Sequence, residues 1–171
     1  MKDVLLPAEF GIAWLTHRLI GAAEGGTMHA RSDAEDRATG TPLTFDARGL
    51  GGRLLRGLVP ATYYLQAQRI RRWLTETMLD FYRSQEIDVL LTATAPGGAP
   101  RGLETTGNAI LLAPWSHLGF PAINAQSGLF TSEGLPLGLQ FAAVPLADYE
   151  LLHAGAWIEQ VLGLLPAPPL E

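Results

Sequence analysis

The segment PATYYLQAQRIRRWLTETMLDFYRSQEIDVLLT, residues 60–92, contains the two clearest elements of the chain. Apolar side chains recur in its first part at steps of three and four residues: Tyr63, Ala67, Ile70, Leu74, Met78 and Phe81. This spacing predicts a single amphipathic helix over 60–86 that begins at Pro60. The apolar run 87–92 is typical of a strand buried on both faces. A long helix followed at once by a buried strand indicates an α/β protein.

The residues before this segment predict further elements. Residues 4–6 are typical of a strand end, and 8–24 predict a helix that is apolar on several sides and must be surrounded by other elements. The polar, glycine-containing stretch 25–44 predicts a loop. Asp46 is a candidate cap for a short helix that runs to about Leu58.

The residues after the segment continue the alternation of strands and helices. Residues 108–112 predict a short helical or irregular stretch, and 121–124 a second strand. Leucine and phenylalanine alternate with smaller or polar residues over 135–142, which is the period of a strand. Pro136 and Gly138 require that strand to be an edge strand or to approach another backbone closely. Residues 148–162 predict an amphipathic helix with four inward side chains: Leu151, Leu152, Ala156 and Ile158.

Composition narrows the function classes. The 171 residues are 47% hydrophobic and 17% charged, with a net charge of −5, which suits one folded domain and does not favour nucleic-acid binding. The absence of cysteine excludes disulfides, thiolate metal sites and cysteine nucleophiles, and is compatible with a cytoplasmic protein. Because no apolar run reaches about 18 residues, we expect no membrane-spanning helix.

The residue patterns contain no complete catalytic site. His17, His29, His117 and His153 are scattered without metal-ligand spacing, so we expect no metal and no other cofactor. Ser116 and His117 are adjacent, and neighbouring side chains point in different directions, which argues against a nucleophile–base pair. Ser127 precedes Gly128 and is typical of a turn. The only lysine is Lys2, near a terminus. By itself the chain is therefore not expected to be a working enzyme.

Five phrases carry a resemblance to a known family. They are LP at 6–7, PAxYYxxAQRxRR at 60–72, DVLLTxTAP at 88–96, APWSxLGxPAIN at 113–124 and GLPxGLQ at 134–140. In this order and at these intervals they resemble the C-terminal portion of the amidase signature family. The resemblance covers residues 1–163 and leaves 164–171 as a proline-rich tail. It implies part of an α/β domain in which helices flank a mixed sheet.

The resemblance also implies candidate substrate-binding residues. The segment from Asn108 to Ser116 is expected near the substrate pocket, where Trp115 is either an apolar wall or a core side chain. Arg53 is either an arginine near the substrate or an exposed helix residue. Ala109 stands where the glutamine-using amidotransferase subunits of the family typically have aspartate, so a transamidase role is disfavoured.

Family members hydrolyse carboxamides with two serines and a lysine, and no residue here matches any of the three. The resemblance therefore implies the C-terminal segment of an amidase-type hydrolase that is inactive alone and binds a small amide only together with a missing N-terminal half. Exposed helix faces and unpaired strand edges would then favour self-association. A non-catalytic binding module or a degenerate amidase remnant is the alternative. An independent hydrolase, detectable by covalent labelling of Ser116 or Ser127, is a third hypothesis.

Overall fold

The computed structural model describes residues 1–39 and 58–163, without the side chains of residues 26–37. The predicted helix at Asp46, Arg53 and the tail 164–171 lie outside these residues. A short 3-10 helix, Ala8–Gly11, leads into the first of the described elements. In chain order these are α1 (Ile12–Thr39), α2 (Ala61–Ser84), β1 (Leu90–Ala93), α3 (Ala113–Leu118), β2 (Ala122–Phe130), β3 (Pro136–Ala142) and α4 (Asp148–Leu162).

The three described strands form one antiparallel sheet in the order β1-β3-β2. The sheet is small and flanked by helices, as an α/β fold requires, although its described strands are not mixed in direction. Strand β3 lies in the middle, so the edge-strand interpretation of Pro136 and Gly138 is wrong. Pro136 is tolerated because it is the first residue of the strand. At Gly138 the close neighbours are side chains rather than another backbone, since an added Cβ would lie 2.5 Å from the Asn124 side chain.

Each face of the sheet has its own apolar core. On one face Phe141 and Ala143 pack with Leu151 and Ile158 of α4. On the other face, Leu90 and Ala142 join the larger core formed with α1, α2 and α3. Its buried members are Ala13, Leu74, Met78, Tyr82, Leu90, Trp115, Leu118, Phe120 and Ala142. The helices therefore form separate layers on the two sides of the sheet.

The apolar stripe of α2 is largely confirmed. Ala67, Leu74 and Met78 are buried, whereas Tyr63 is 62% exposed. Pro60 precedes the helix as its N-cap residue. Tyr82, which the stripe did not include, is buried and donates its hydroxyl to the Ala142 carbonyl at 2.9 Å. This hydrogen bond ties the last turn of α2 to the central strand.

Several predicted boundaries and orientations are wrong. Helix α1 continues to Thr39, through the described part of the predicted loop 25–44, because a glycine costs only about 1 kcal/mol inside a helix. Residues 4–6 form no strand, and Val4 and Leu6 instead pack against the helical core. Strand β1 has only four residues, and it is not buried on both faces, since Leu91 is 39% exposed.

Helix α4 has the predicted bounds, but two of its four inward residues are exposed. Leu151 and Ile158 are buried together with Gly155, at spacings of four and three residues. Leu152 and Ala156 lie outside this stripe and are exposed. Gly155 contacts the Ile123 side chain, so the absence of its own side chain lets the helix lie close to β2.

Candidate functional site

A layer of polar side chains lies beyond Leu90 and Ala142, on the face of the sheet that packs against α1, α2 and α3. We call Thr92, Thr94, Asn124 and Gln140 the polar layer. Thr92 and Asn124 are the two cross-strand neighbours of Gln140, so these three side chains stand on the same face. Polar groups in the middle of a sheet must be hydrogen-bonded or solvated. The polar layer is therefore the feature of this face that packing alone does not explain.

Gln140 is the most buried member of the polar layer, with 1% of its surface exposed. Its Nε2 donates to the Thr92 hydroxyl at 3.1 Å and to the Leu111 carbonyl at 3.2 Å. Because a carbonyl oxygen can only accept, the bond to Leu111 fixes which end of the carboxamide points there. Oε1 is buried and has no hydrogen-bond partner among the described residues.

The neighbouring row of the polar layer depends on a glycine. Thr94 donates its hydroxyl to Asn124 Oδ1, directly above Gly138 of the central strand. An added Cβ at Gly138 would lie 2.5 Å from Asn124 Oδ1 and 2.9 Å from Thr94 Oγ1. Glycine at this position therefore leaves the space that this hydrogen bond occupies.

A loop formed by residues 108–112 lies over Gln140 and leads into α3. Asn108 is exposed, and its Oδ1 accepts from the Ile110 N–H at 3.0 Å. The Ala109 carbonyl accepts from the N–H groups of Leu112 at 3.1 Å and Ala113 at 2.8 Å. The side chain of Asn108 thus shapes the turn. A substrate contact of Asn108 remains a prediction.

Trp115 lies in the core between the loop and the helices. It is 1% exposed, and its ring centroid lies 5.0 Å from that of Phe10 and 6.1 Å from that of Phe120. Core packing accounts for these contacts, and a role in the pocket wall stays a prediction. Arg53 lies outside the described residues, so its two interpretations, an arginine near the substrate and an exposed helix residue, also stay predictions.

A pair of histidines, which the sequence does not reveal, lies between α1 and α3. Thr16 Oγ1 is 2.9 Å from His117 Nε2, and the rings of His17 and His117 meet edge to face with centroids 5.6 Å apart. Burial lowers the pKa of His117 to about 4, with smaller contributions from Arg71 and His17. Burial and Arg71 also lower the pKa of His17. These rings come from distant parts of the chain, so no local spacing could have found them.

Neither serine singled out by the sequence has a catalytic partner in the described residues. Ser116 is exposed whereas His117 is buried, so adjacency does not make them a pair. The predicted turn at Ser127 is wrong, because this residue lies within β2, where the pairing with β3 is irregular. Its hydroxyl donates to the Leu137 carbonyl of β3 at 2.7 Å and accepts from the Leu129 N–H. Lys2 Nζ donates to the Gln85 carbonyl. Residues 1–39 and 58–163 hold no cluster of three potential metal ligands. Their helices include none apolar and long enough to span a membrane.

Solved amidases share this architecture. A structure described as a vestigial protein complex that reveals the evolutionary origins of an s-triazine catabolic enzyme superposes with a TM-score of 0.77 at 26% identity. That match covers 98% of this chain and 38% of the other. Fatty acid amide hydrolase superposes with a TM-score of 0.73 over 94% of this chain and 33% of its own, at 21% identity. The described α/β arrangement is thus the fold of amidase-signature enzymes.

The family model described as Amidase matches residues 27–152, and the chain belongs to this family. A glutamyl-tRNA(Gln) amidotransferase subunit of Rhizorhabdus wittichii is 32% identical over 97% of this chain. The corresponding subunit of Gluconobacter oxydans is 33% identical over 99% of it. In both cases the match covers only 38% of the relative, so the chain spans well under half the length of these curated relatives.

The sequence contained one usable signal for the polar layer. Two of the five phrases that carry the family resemblance end on Asn124 and Gln140. The structure brings these two residues together as cross-strand neighbours. Their equal position in the strand alternation could have placed them on one face, but the burial of Gln140 and its hydrogen bond to Leu111 could not be predicted, because Leu111 is distant in the sequence.

Proposed function

We propose that this chain supplies the C-terminal part, residues 1–163, of a hydrolase that acts on carbon–nitrogen bonds of carboxamides. The observation that carries the proposal is membership of the amidase family over a match that spans 38% of its curated relatives. In this proposal the polar layer and the loop 108–112 form one wall of the substrate pocket. The nucleophile and base come from an N-terminal part that carries the two serines and the lysine of the family.

The chain alone is proposed to be inactive. A serine hydroxyl is a weak nucleophile unless a base lies within hydrogen-bond reach, and oxyanion donors must already be in position. Ser116 is exposed whereas His117 is buried, and the Ser127 hydroxyl is engaged by backbone groups of β2 and β3. These contacts support a role for the chain in binding and positioning, with the reacting groups supplied in trans or by a longer polypeptide.

A complementation experiment tests the proposal. The chain is mixed with the part of the Rhizorhabdus wittichii relative that it does not match, and ammonia release is measured from simple carboxamides such as glutamine, asparagine and benzamide. We expect hydrolysis from the mixture and none from either part. A mixture in which the nucleophilic serine of the added part is replaced by alanine is the control. Hydrolysis by the chain alone, or no hydrolysis by the mixture, would contradict the proposal.

A non-catalytic binding module is the second candidate, and the outer side of α4 favours it. Leu152, Trp157 and Val161 are each more than 60% exposed on this helix. Exposed apolar side chains of this kind are typical of association surfaces. We expect the isolated chain to self-associate, which sedimentation velocity over a range of concentrations would detect. If the added amidase part binds the chain without restoring hydrolysis, the binding module becomes the better description.

A further inference from the structure

The loop 108–112 is held to the sheet by few polar contacts within the described residues. Its own hydrogen bonds are internal: Asn108 Oδ1 and the Ala109 carbonyl accept from N–H groups that follow within four residues. Its apolar side chains are only partly covered, since Ile110, Leu111 and Leu112 are 36–43% exposed. Among the described residues, the hydrogen bond from Gln140 Nε2 to the Leu111 carbonyl is the one that joins this loop to the sheet.

Gln140 is placed to make this connection. It occupies the central strand, and its backbone is held by β1 on one side and β2 on the other. Thr92 accepts a second hydrogen bond from the same Nε2. A buried methionine would fill a similar volume without leaving Oε1 unpaired, so packing alone does not favour glutamine here. Glutamine is favoured here because its Nε2 can donate a hydrogen bond to the Leu111 carbonyl.

We propose that Gln140 is a positioning residue that fixes the loop 108–112 over the polar layer and thereby sets the position of Asn108. The proposal requires no reacting group of this chain. Its consequence for substrate binding rests on the proposed function, because only then does the loop form a pocket wall. Its structural content is independent of activity and can be measured on the chain itself.

Amide hydrogen exchange at the loop tests the proposal. The N–H groups of Ile110, Leu112 and Ala113 are bonded within the turn and exchange when it opens. We expect Gln140→Met to speed their exchange roughly tenfold relative to amides near Leu74 and Met78 of α2, as the loss of one hydrogen bond implies. Unchanged loop exchange in Gln140→Met would overturn the proposal.

Thr92→Val is the matched control. It removes the other acceptor of the same Nε2 and keeps the bond to the Leu111 carbonyl. We expect its loop exchange, relative to α2, to stay within about twofold of the wild type. If Thr92→Val loosens the loop as much as Gln140→Met does, the effect comes from general disturbance of the buried amide, and the positioning role is rejected.

Gln140→Glu provides a second, independent test should the methionine variant fold poorly. An ionised carboxylate cannot donate to the Leu111 carbonyl, whereas the protonated acid can. Burial should raise the pKa of such a carboxyl. After correction for intrinsic exchange, loop protection in this variant should therefore rise by roughly tenfold as the acid protonates, while the wild type stays constant. Protection that does not depend on pH in the variant would contradict the proposal.

The two proposals fail separately. If the complemented wild type shows no hydrolysis, the proposed function fails, while the exchange ratios still decide the role of Gln140. If hydrolysis is restored, Gln140→Met in the complemented pair should raise KM about tenfold, with a smaller effect on kcat, because the loop is displaced while the reacting groups are not. An unchanged KM together with a loosened loop would show that the loop is not a pocket wall, and would overturn its proposed place in the substrate site.

Discussion

The two faces of the three-stranded sheet differ in the kind of contact that their side chains make. The face against α4 has an apolar core, with Phe141 and Ala143 packed on Leu151 and Ile158. The opposite face begins with Leu90 and Ala142 in the helical core and continues into the polar layer. The buried polar residues of the described chain are Thr16, His117 and Gln140, and they lie on this second side.

This difference separates residues that hold the fold from residues that shape a site. Apolar contacts are non-directional and depend on area and volume, so one side chain can replace another of similar size. Hydrogen bonds among buried groups depend on geometry. If one partner is removed, the other stays buried without a hydrogen bond, and its desolvation lowers stability. Substitutions on the α4 face should therefore act on stability alone, whereas substitutions on the polar face should also change local structure.

The largest effect is expected at Phe141, which is 6% exposed on the α4 face. Phe141→Ala removes a buried ring and leaves a cavity against Leu151 and Ile158, so the free energy of unfolding should fall by about 3–5 kcal/mol. Urea denaturation measures this value. Leu152→Ala on the exposed side of α4 is the control and should change it by less than about 0.5 kcal/mol. If both variants lost the same free energy of unfolding, Phe141 would not belong to a packed core between the sheet and α4.

A smaller but more local effect is expected at Gly138 on the polar face. Gly138→Ala places a methyl group against the Thr94–Asn124 hydrogen bond and should cost about 1–3 kcal/mol through overpacking. The side-chain amide resonances of Asn124 should also shift in an NMR spectrum. Gly97→Ala, where nothing lies within 4 Å, is the control and should change stability by less than about 0.5 kcal/mol. An unshifted Asn124 would contradict the close approach.

The sequence predicts most elements of both faces but not what distinguishes them. Helix period placed α2, strand period placed β3, and both ends of α4 were correct, because these signals are local. The central place of β3 could not be inferred, since strand order depends on pairing between distant residues. For the same reason Gln140 looked like one polar residue of an alternating strand, although it is buried and donates to the loop 108–112, which lies well before it in the chain.

The smallest predicted effect concerns His117, which is 5% exposed and lies on the side of the sheet covered by α1, α2 and α3. Burial lowers its pKa from 6.5 to about 4, so the folded chain keeps it neutral where the unfolded chain protonates it. Below pH 6.5 the unfolded state binds more protons, and stability must fall as the pH falls toward 4. The loss from this residue between about pH 6.5 and pH 5 should be roughly 1–2 kcal/mol. The lowered pKa of His17 acts in the same direction.

Urea denaturation at several pH values between about 5 and 6.5 measures this loss. His117→Gln should flatten the pH dependence, because glutamine can still bond to Thr16 and does not titrate. His153→Gln is the matched control, since it makes the same substitution at a histidine that is exposed on α4 and lies outside the buried pair. If the slope persists in His117→Gln and disappears in His153→Gln, the pH sensitivity belongs to the α4 side. The buried His117 on the side covered by α1, α2 and α3 would then have no effect on the free energy of unfolding between about pH 5 and 6.5.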